Sequence, residues 1–141
     1  MKKLLLLFFG LSFIAFKSCI TDSETPMCED MILIDKDVFD NGPDDQLSIT
    51  SVNITNDCLT VEFLSSGCDG KNWSIVLVDA GVVAESNPPQ RIIRLSLDNP
   101  EHCRAGIIKK ITFNLEPIRI YDANEVSLNL EGWEERIGYT Y

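Results

Sequence analysis

From Leu47 to the C-terminus, apolar and polar residues alternate with a period of two, which is the pattern of strands with one buried face. In segment 58–64, for example, Leu59, Val61 and Phe63 alternate with polar residues. Seven segments show this pattern, and short turn sequences rich in Gly, Pro, Asn and Asp separate them. The predicted strands are 49–55, 58–64, 73–79, 91–97, 110–115, 125–130 and 137–141.

Seven short strands within the last 95 residues predict an all-β fold, an immunoglobulin-like antiparallel β-sandwich. A partly open β-barrel is the alternative that the same strand pattern allows. No long segment after residue 18 keeps a helical period, so the chain is not expected to contain a long helix.

The N-terminus has a different pattern. Lys2 and Lys3 precede an unbroken apolar run of 13 residues, from Leu4 to Phe16. A helix that spans a bilayer needs roughly 20 apolar residues, whereas a secretory signal has a core of about 7–15. Residues 1–18 are therefore predicted to be an export signal.

Cys19 follows this run directly, with the small residue Ser18 before it. A small residue before a cysteine at this point resembles a bacterial lipoprotein signal, although Phe16 and Lys17 depart from its strict form. Loosened forms resemble those of Bacteroidetes-type bacteria. We therefore predict lipidation of Cys19, where two or more acyl chains would give a stable anchor. An ordinary signal peptide with an unrelated cysteine is the alternative.

The charge of the chain limits its partners. Removal of residues 1–18 takes three of the twelve basic residues and none of the 22 acidic ones, which leaves a net charge of −13. Such a chain repels phosphate backbones, so nucleic acid is not an expected partner. Nine acids and one base lie within residues 20–46. We therefore divide the mature chain into a lipidated acidic linker or arm, 19–46, and a β-sandwich domain, 47–141.

The acidic arm also suggests a calcium site, because Ca²⁺ binds six to eight oxygen ligands. The spacing of Asp35, Asp37 and Asp40 does not match a calcium-binding loop, so a solvated acidic surface is the preferred interpretation. No metal and no cofactor is predicted.

The chain has five cysteines, an odd number that is unusual in an exported protein unless one has another use. Lipidation of Cys19 leaves four, and in an oxidising compartment two disulfides are expected. Of the three possible pairings we favour Cys68–Cys103, which would join two loops, and Cys28–Cys58, which would attach the acidic arm to a strand.

Few residues suggest binding or catalysis. His102 is the only histidine and lies in a polar turn, so no catalytic residues are assigned. Trp133, between acidic residues, is a weak candidate for an exposed contact. Arg91 and Arg94 are predicted to project from one sheet face, where they would pair with acids or bind a carboxylate.

Several stretches of the chain carry a resemblance: Ser66-Gly67-Cys68-Asp69-Gly70 with Trp73, Pro88-Pro89-Gln90-Arg91, Glu101 with Cys103, Asn129-Leu130-Glu131-Gly132, and Tyr139-Thr140-Tyr141. Over residues 57–141 the chain resembles a set of small uncharacterised lipoproteins from Bacteroidetes. The resemblance implies a secreted, lipid-anchored, β-rich domain and implies no activity. The arm that contains Cys28 lies outside it.

These observations favour a non-enzymatic lipoprotein of the bacterial cell envelope, held at the outer membrane by its N-terminal lipid and either periplasmic or surface-exposed. The expected partner is another envelope protein. A carbohydrate-binding module is the alternative, and it would need aromatic residues such as Trp133 together on one face. An envelope enzyme is the third class.

The lipid prediction is tested by Cys19→Ala. Because the anchor depends on acyl chains on this thiol, the variant should leave the membrane fraction, whereas the control Ser23→Ala should remain there. Fractionation after a high-salt wash measures the difference. A Cys19→Ala protein that stays with the membranes would contradict the prediction.

Overall fold

The structure, a computed structural model, describes residues 28–141. The predicted signal peptide, Cys19 and the first part of the acidic arm lie outside the described residues.

Within 28–141 the chain forms nine strands, one α-helix and one 3-10 turn. In order they are β1 (Asp30–Met31), β2 (Leu33–Ile34), α1 (Lys36–Asn41), β3 (Leu47–Thr55), β4 (Cys58–Gly67), β5 (Ser74–Ala84), β6 (Gln90–Asp98), β7 (Ala105–Asn114), the 3-10 turn (Glu116–Ile118), β8 (Glu125–Leu130) and β9 (Ile137–Thr140).

The strands form two sheets that pack as a sandwich, which confirms the predicted fold class. One sheet has the order β1-β7-β4-β3 and the other has the order β2-β5-β6-β8-β9. All seven predicted strands are present as β3 to β9, and the sheets do not close into a barrel. Three strand pairs are parallel, β1–β7, β2–β5 and β6–β8. The β6–β8 pair is parallel because the chain crosses to the other sheet as β7 before it returns.

The core lies between the two sheets and follows from the period-two pattern. On β4, Leu59, Val61 and Phe63 are fully buried, and on β6 the residues Ile93 and Leu97 are fully buried. The opposing strands supply the rest of the buried apolar side chains, among them Phe113, Leu115, Ile118, Val126, Leu128 and Tyr139. Polar residues at the intervening positions face away from this core.

The acidic arm is part of the sandwich from Asp30 onward, ahead of the boundary predicted at residue 47. Strands β1 and β2 add one edge strand to each sheet, beside β7 and β5 respectively. Helix α1 then packs on β5 and β6, and Asp35 caps its start by accepting a 3.0 Å hydrogen bond from the Val38 N–H. The arm therefore covers one side of the sandwich.

Both predicted disulfides are present. Cys28–Cys58 joins the arm to the start of β4, and Cys68–Cys103 joins the loop after β4 to the loop before β7. Their Cα atoms are 5.5 and 4.8 Å apart. Each bridge closes a loop of 30 to 35 residues, and such closure contributes about 3–4 kcal/mol in the chain-entropy model.

A polar cluster, which we call the Asp57 clasp, connects the β3–β4 turn to the C-terminal strand. The Tyr139 hydroxyl and the Arg119 guanidinium each donate a 2.5 Å hydrogen bond to Asp57 Oδ1, and Arg119 Nε donates to the Tyr139 oxygen at 3.0 Å. The Tyr139 hydrogen bond and Arg119 hold the pKa of Asp57 below its ordinary value. Burial and the Asp57 hydrogen bond raise the pKa of Tyr139 to about 12. The clasp is therefore a charged contact between elements of opposite sheets.

Tyr139→Phe should lower the free energy of unfolding by about 1–2 kcal/mol at neutral pH, because it removes the hydroxyl and keeps the buried ring. Folding lowers the pKa of Asp57, so the ionised Asp57 carboxylate stabilises the fold above about pH 4. This contribution to the free energy of unfolding is lost as the pH falls below about 4. Denaturant titrations at pH 7 and pH 3 should show the smaller effect at pH 3. Tyr121→Phe, at a side chain 94% exposed, is the control, and an equal loss at both pH values would contradict the clasp.

Candidate binding surface

Strand β3 is a long free edge of the four-stranded sheet. Of the four edge strands in residues 28–141, β1 and β2 have two residues each, β9 has four and β3 has nine. Strand β3 pairs with β4 along its inner side only. The outward N–H and C=O groups of such an edge can hydrogen-bond an added strand.

The side chains of β3 do little to protect this edge. No residue from Leu47 to Thr55 is charged, although Lys and other charges commonly blunt exposed edges. A register shift between Ile49 and Ser51 is the one irregularity along its pairing with β4. The inward apolar residues therefore change from odd to even numbers along the strand: Leu47, Ile49, Val52 and Ile54 pack against the core. The exposed residues are Ser48, Thr50, Ser51, Asn53 and Thr55.

A groove of about 600 Å³ lies at the start of β3. Leu47 and Ser48 of β3 line it, together with apolar Leu64 of β4 and with Asn99 and His102 from the loop between β6 and β7. Its lining also includes Ser66 of β4 and Gly106 of β7, so the groove lies on the β4 side of β3, at the start of the strand. We call the free edge together with this groove the β3 surface.

Glu101 fixes the loop beside this groove. Its Oε2 atom accepts hydrogen bonds from the backbone N–H groups of Cys68 at 2.7 Å, Gly70 at 3.0 Å and Asp69 at 3.3 Å. Desolvation alone would raise the pKa of Glu101, but these backbone donors lower it below its ordinary value. A Cβ on Gly67 would lie 2.5 Å from the same oxygen, so only glycine fits there.

Other hydrogen bonds hold the residues before β3 in place. The Asn99 N–H donates to Asp45 Oδ2 at 2.7 Å, and the Asn99 side-chain amide donates to the Ser66 carbonyl at 2.7 Å. The Ser65 hydroxyl donates to the Gln46 carbonyl at 2.7 Å. Together with the Cys68–Cys103 bridge, these contacts make the walls of the groove preformed.

The polar groups around the groove already have structural roles. His102 is exposed and lines the groove, but the Ser65 hydroxyl is bonded to a backbone carbonyl and Glu101 accepts backbone amides. In a catalytic site the nucleophile and its general base hydrogen-bond each other. Here the Ser65 hydroxyl and the Glu101 carboxylate are instead bonded to the backbone. Within 28–141, no group of three or more His, Cys, Asp or Glu residues is arranged to hold a metal ion.

Arg94 supports α1 and is not available on the surface. Its guanidinium donates to four backbone carbonyls at the end of α1 and after it, those of Val38, Phe39, Gly42 and Pro43, at 2.7–3.2 Å. It is 6% exposed. The arginine guanidinium has five N–H donors, so it can hydrogen-bond several of the carbonyls that lack partners at a helix end.

Arg91 faces the other way, so the prediction of a shared face for the two arginines is wrong. Residues three apart on a strand point to opposite faces, and Arg91 lies on the face of buried Ile93. There its Nη1 contacts Asp79 Oδ1 at 2.8 Å. Asp79 is fully buried, and this burial raises the pKa of its carboxyl. The Arg91 side chain is 11% exposed.

Trp133 is half-buried and packs against the core rather than standing in solvent. Three further aromatic residues also contribute to packing. Trp73 and Tyr139 are buried, and the half-buried Tyr141 ring contacts the Tyr139 ring at a tilt, with ring centroids 4.9 Å apart. Arg119 lies 5.2 Å from the Tyr141 ring centroid. The four aromatics therefore serve packing.

The β3 surface was not predicted from the sequence. The sequence shows that residues 47–55 carry no charge. This indicates an unprotected edge only when the sheet order is known, because that order places β3 at the edge of the four-stranded sheet. Glu101 was visible in a polar turn, and its partners depend on the fold of the loop 66–72.

Comparison of the chain with protein-family models, with curated proteins and with solved structures gave no match. In the part of the chain that the structure describes, no helix is both long enough and apolar enough to cross a bilayer.

Arg91→Met should lower the free energy of unfolding by about 3–5 kcal/mol at pH 7, because it leaves Asp79 buried without its cation. Folding already raises the pKa of Asp79, and removal of Arg91 raises it further. Protonation therefore favours the folded variant, and the deficit should shrink as the pH falls from 7 to 4.

Urea unfolding at the two pH values measures this effect. Arg104→Met, at an exposed arginine, is the matched control and should change stability little. If Arg91→Met changes stability as little as that control, Arg91 does not neutralise buried Asp79. The predicted role of Arg91 in binding a carboxylate would then have to be reconsidered.

Proposed function

We propose that this chain is a non-enzymatic, lipid-anchored protein of the bacterial cell envelope that binds another protein by accepting one of its strands at β3. The observation that carries the proposal is the nine-residue, uncharged free edge of β3, which has a preformed groove beside its start. A strand added there would gain main-chain hydrogen bonds along the edge and side-chain contacts in the groove.

The envelope location rests on the sequence and on the disulfides. Four cysteines pair as Cys28–Cys58 and Cys68–Cys103, and structural disulfides persist in oxidising compartments. The fifth, Cys19, follows a signal-like segment, so lipidation accounts for the odd number. This supports attachment to the outer membrane through the N-terminus, with the sandwich in the aqueous phase.

A protein partner is favoured over a carbohydrate. A glycan platform would need several exposed aromatic rings together, whereas Trp73 and Tyr139 are buried, Trp133 packs on the core, and Tyr121 is the one large aromatic exposed among residues 28–141. The β3 surface instead presents backbone groups, hydroxyls and small polar side chains. Those groups suit an extended polypeptide.

The test is photo-crosslinking in intact cells. A photoreactive amino acid at Asn53, an exposed position on β3, should give a heteromeric adduct, because the partner strand lies beside it. The same group at Glu85, an exposed position in the turn between β5 and β6 of the other sheet, is the matched control and should give little.

Mass spectrometry of the adduct identifies its components. A peptide of a different envelope protein joined to position 53 supports the proposal. No adduct at 53, equal adducts at 53 and 85, or an adduct containing only a second copy of this chain would each contradict it.

A further inference from the structure

We infer that the partner segment is an extended strand flanked by Lys or Arg residues. This inference deepens the proposed function and rests on it, because it names the chemistry of the segment that β3 accepts. It follows from the distribution of charge around the β3 surface.

The start of β3 is acidic. Asp44 and Asp45 come just before the strand, and Asp45 lines the groove. The Asp45 carboxylate accepts a hydrogen bond from the Asn99 backbone, which is a neutral partner and leaves its negative charge in place. A segment that enters the groove therefore meets at least one uncompensated carboxylate.

A second cavity, of about 300 Å³, extends this acidic region. Asp40, Asp44 and Glu131 line it together with Arg94. Asp40 pairs with Lys36, and Asp44 lies 3.5 Å from the Arg94 guanidinium, which leaves Glu131 without a cation among the ion pairs of the described residues. The consecutive residues Asp44 and Asp45 thus line one cavity each.

The loop between β8 and β9 brings further acids beside the middle of β3. A Cβ on Gly132 would lie 3.8 Å from the Cδ1 atom of Ile49, a core-facing residue of β3, so the loop 131–136 reaches the strand at Gly132. It carries Glu131, Glu134, Glu135 and one base, Arg136. Acidic segments therefore lie directly before β3 and in the loop that reaches it at Ile49.

This distribution of charge decides which kind of strand fits beside β3. A second copy of this chain would place the same acidic segments against each other, and the whole chain has a net charge of −10. Opposite charges on partner surfaces raise the association rate and suppress wrong partners. A strand with a neutral centre and basic flanks is therefore the complementary occupant.

Synthetic peptides test this inference with the protein purified from its host in neutral detergent. The parent peptide has a Val-Thr-Val-Thr-Val centre with two Lys residues at each end. A second peptide carries Glu in place of every Lys, and a third keeps the Lys residues but has Pro at the central position. Fluorescence anisotropy measures the three affinities.

The Lys-flanked peptide should bind at least roughly tenfold more tightly than the Glu-flanked one at low salt, and the difference should shrink between about 50 and 500 mM NaCl. The Pro peptide has the same charge but cannot donate along the edge, so it should lose at least about tenfold in affinity. Asn53→Lys in the protein should weaken binding of the parent peptide, and Asn53→Glu should strengthen it.

Each contrary result has its own meaning. Equal binding of the Lys and Glu peptides overturns the inference that the partner strand has basic flanks. The proposal that β3 accepts a strand is not affected by that result. Equal binding of the Lys and Pro peptides shows charge adsorption only and overturns the inference of an added strand. If no peptide binds, the inference is wrong, and the crosslink at position 53 still decides whether β3 contacts a different protein.

Discussion

The structure depends on the attachment of the N-terminal arm to one open side of the sandwich. Cys28–Cys58 fixes the arm covalently to the start of β4, and β1 and β2 then extend one sheet each. Helix α1 packs on the outer face of β5 and β6, held by Arg94 through its backbone carbonyls. A two-sheet sandwich has two open sides; the arm pairs with part of one, and β3 remains a free edge on the other.

Three of the nine basic residues within 28–141 have structural roles inside the fold. Arg91, Arg94 and Arg119 contact buried or partly buried groups that hold the fold together. Lys36 and Lys71 pair with neighbouring aspartates. Acids outnumber bases, so the carboxylates left over remain near the loops, including those beside β3.

Much of the fold was predictable because the period of two is a direct result of strand geometry. The same alternation excludes a shared face for Arg91 and Arg94, which are three residues apart. Strands β1 and β2 have too few residues to show any period. Helix α1 has only six residues, with Asp35 before it and Gly42 after it. Asp and Gly are equally common in turns, so these residues did not identify a helix. Which strand lies at an edge depends on sheet order, and sheet order is a tertiary property.

Residue-resolved amide hydrogen exchange of the free protein tests the central claim, that β3 is an open edge, most directly. The account predicts that the β3 amides pointing away from β4 exchange rapidly, while the β3 amides bonded to β4 and the amides within β4 itself are protected. Saturation with the protein partner should then protect the fast set. Uniform strong protection of β3 in the free protein would show that the edge is already covered, and it would contradict the account.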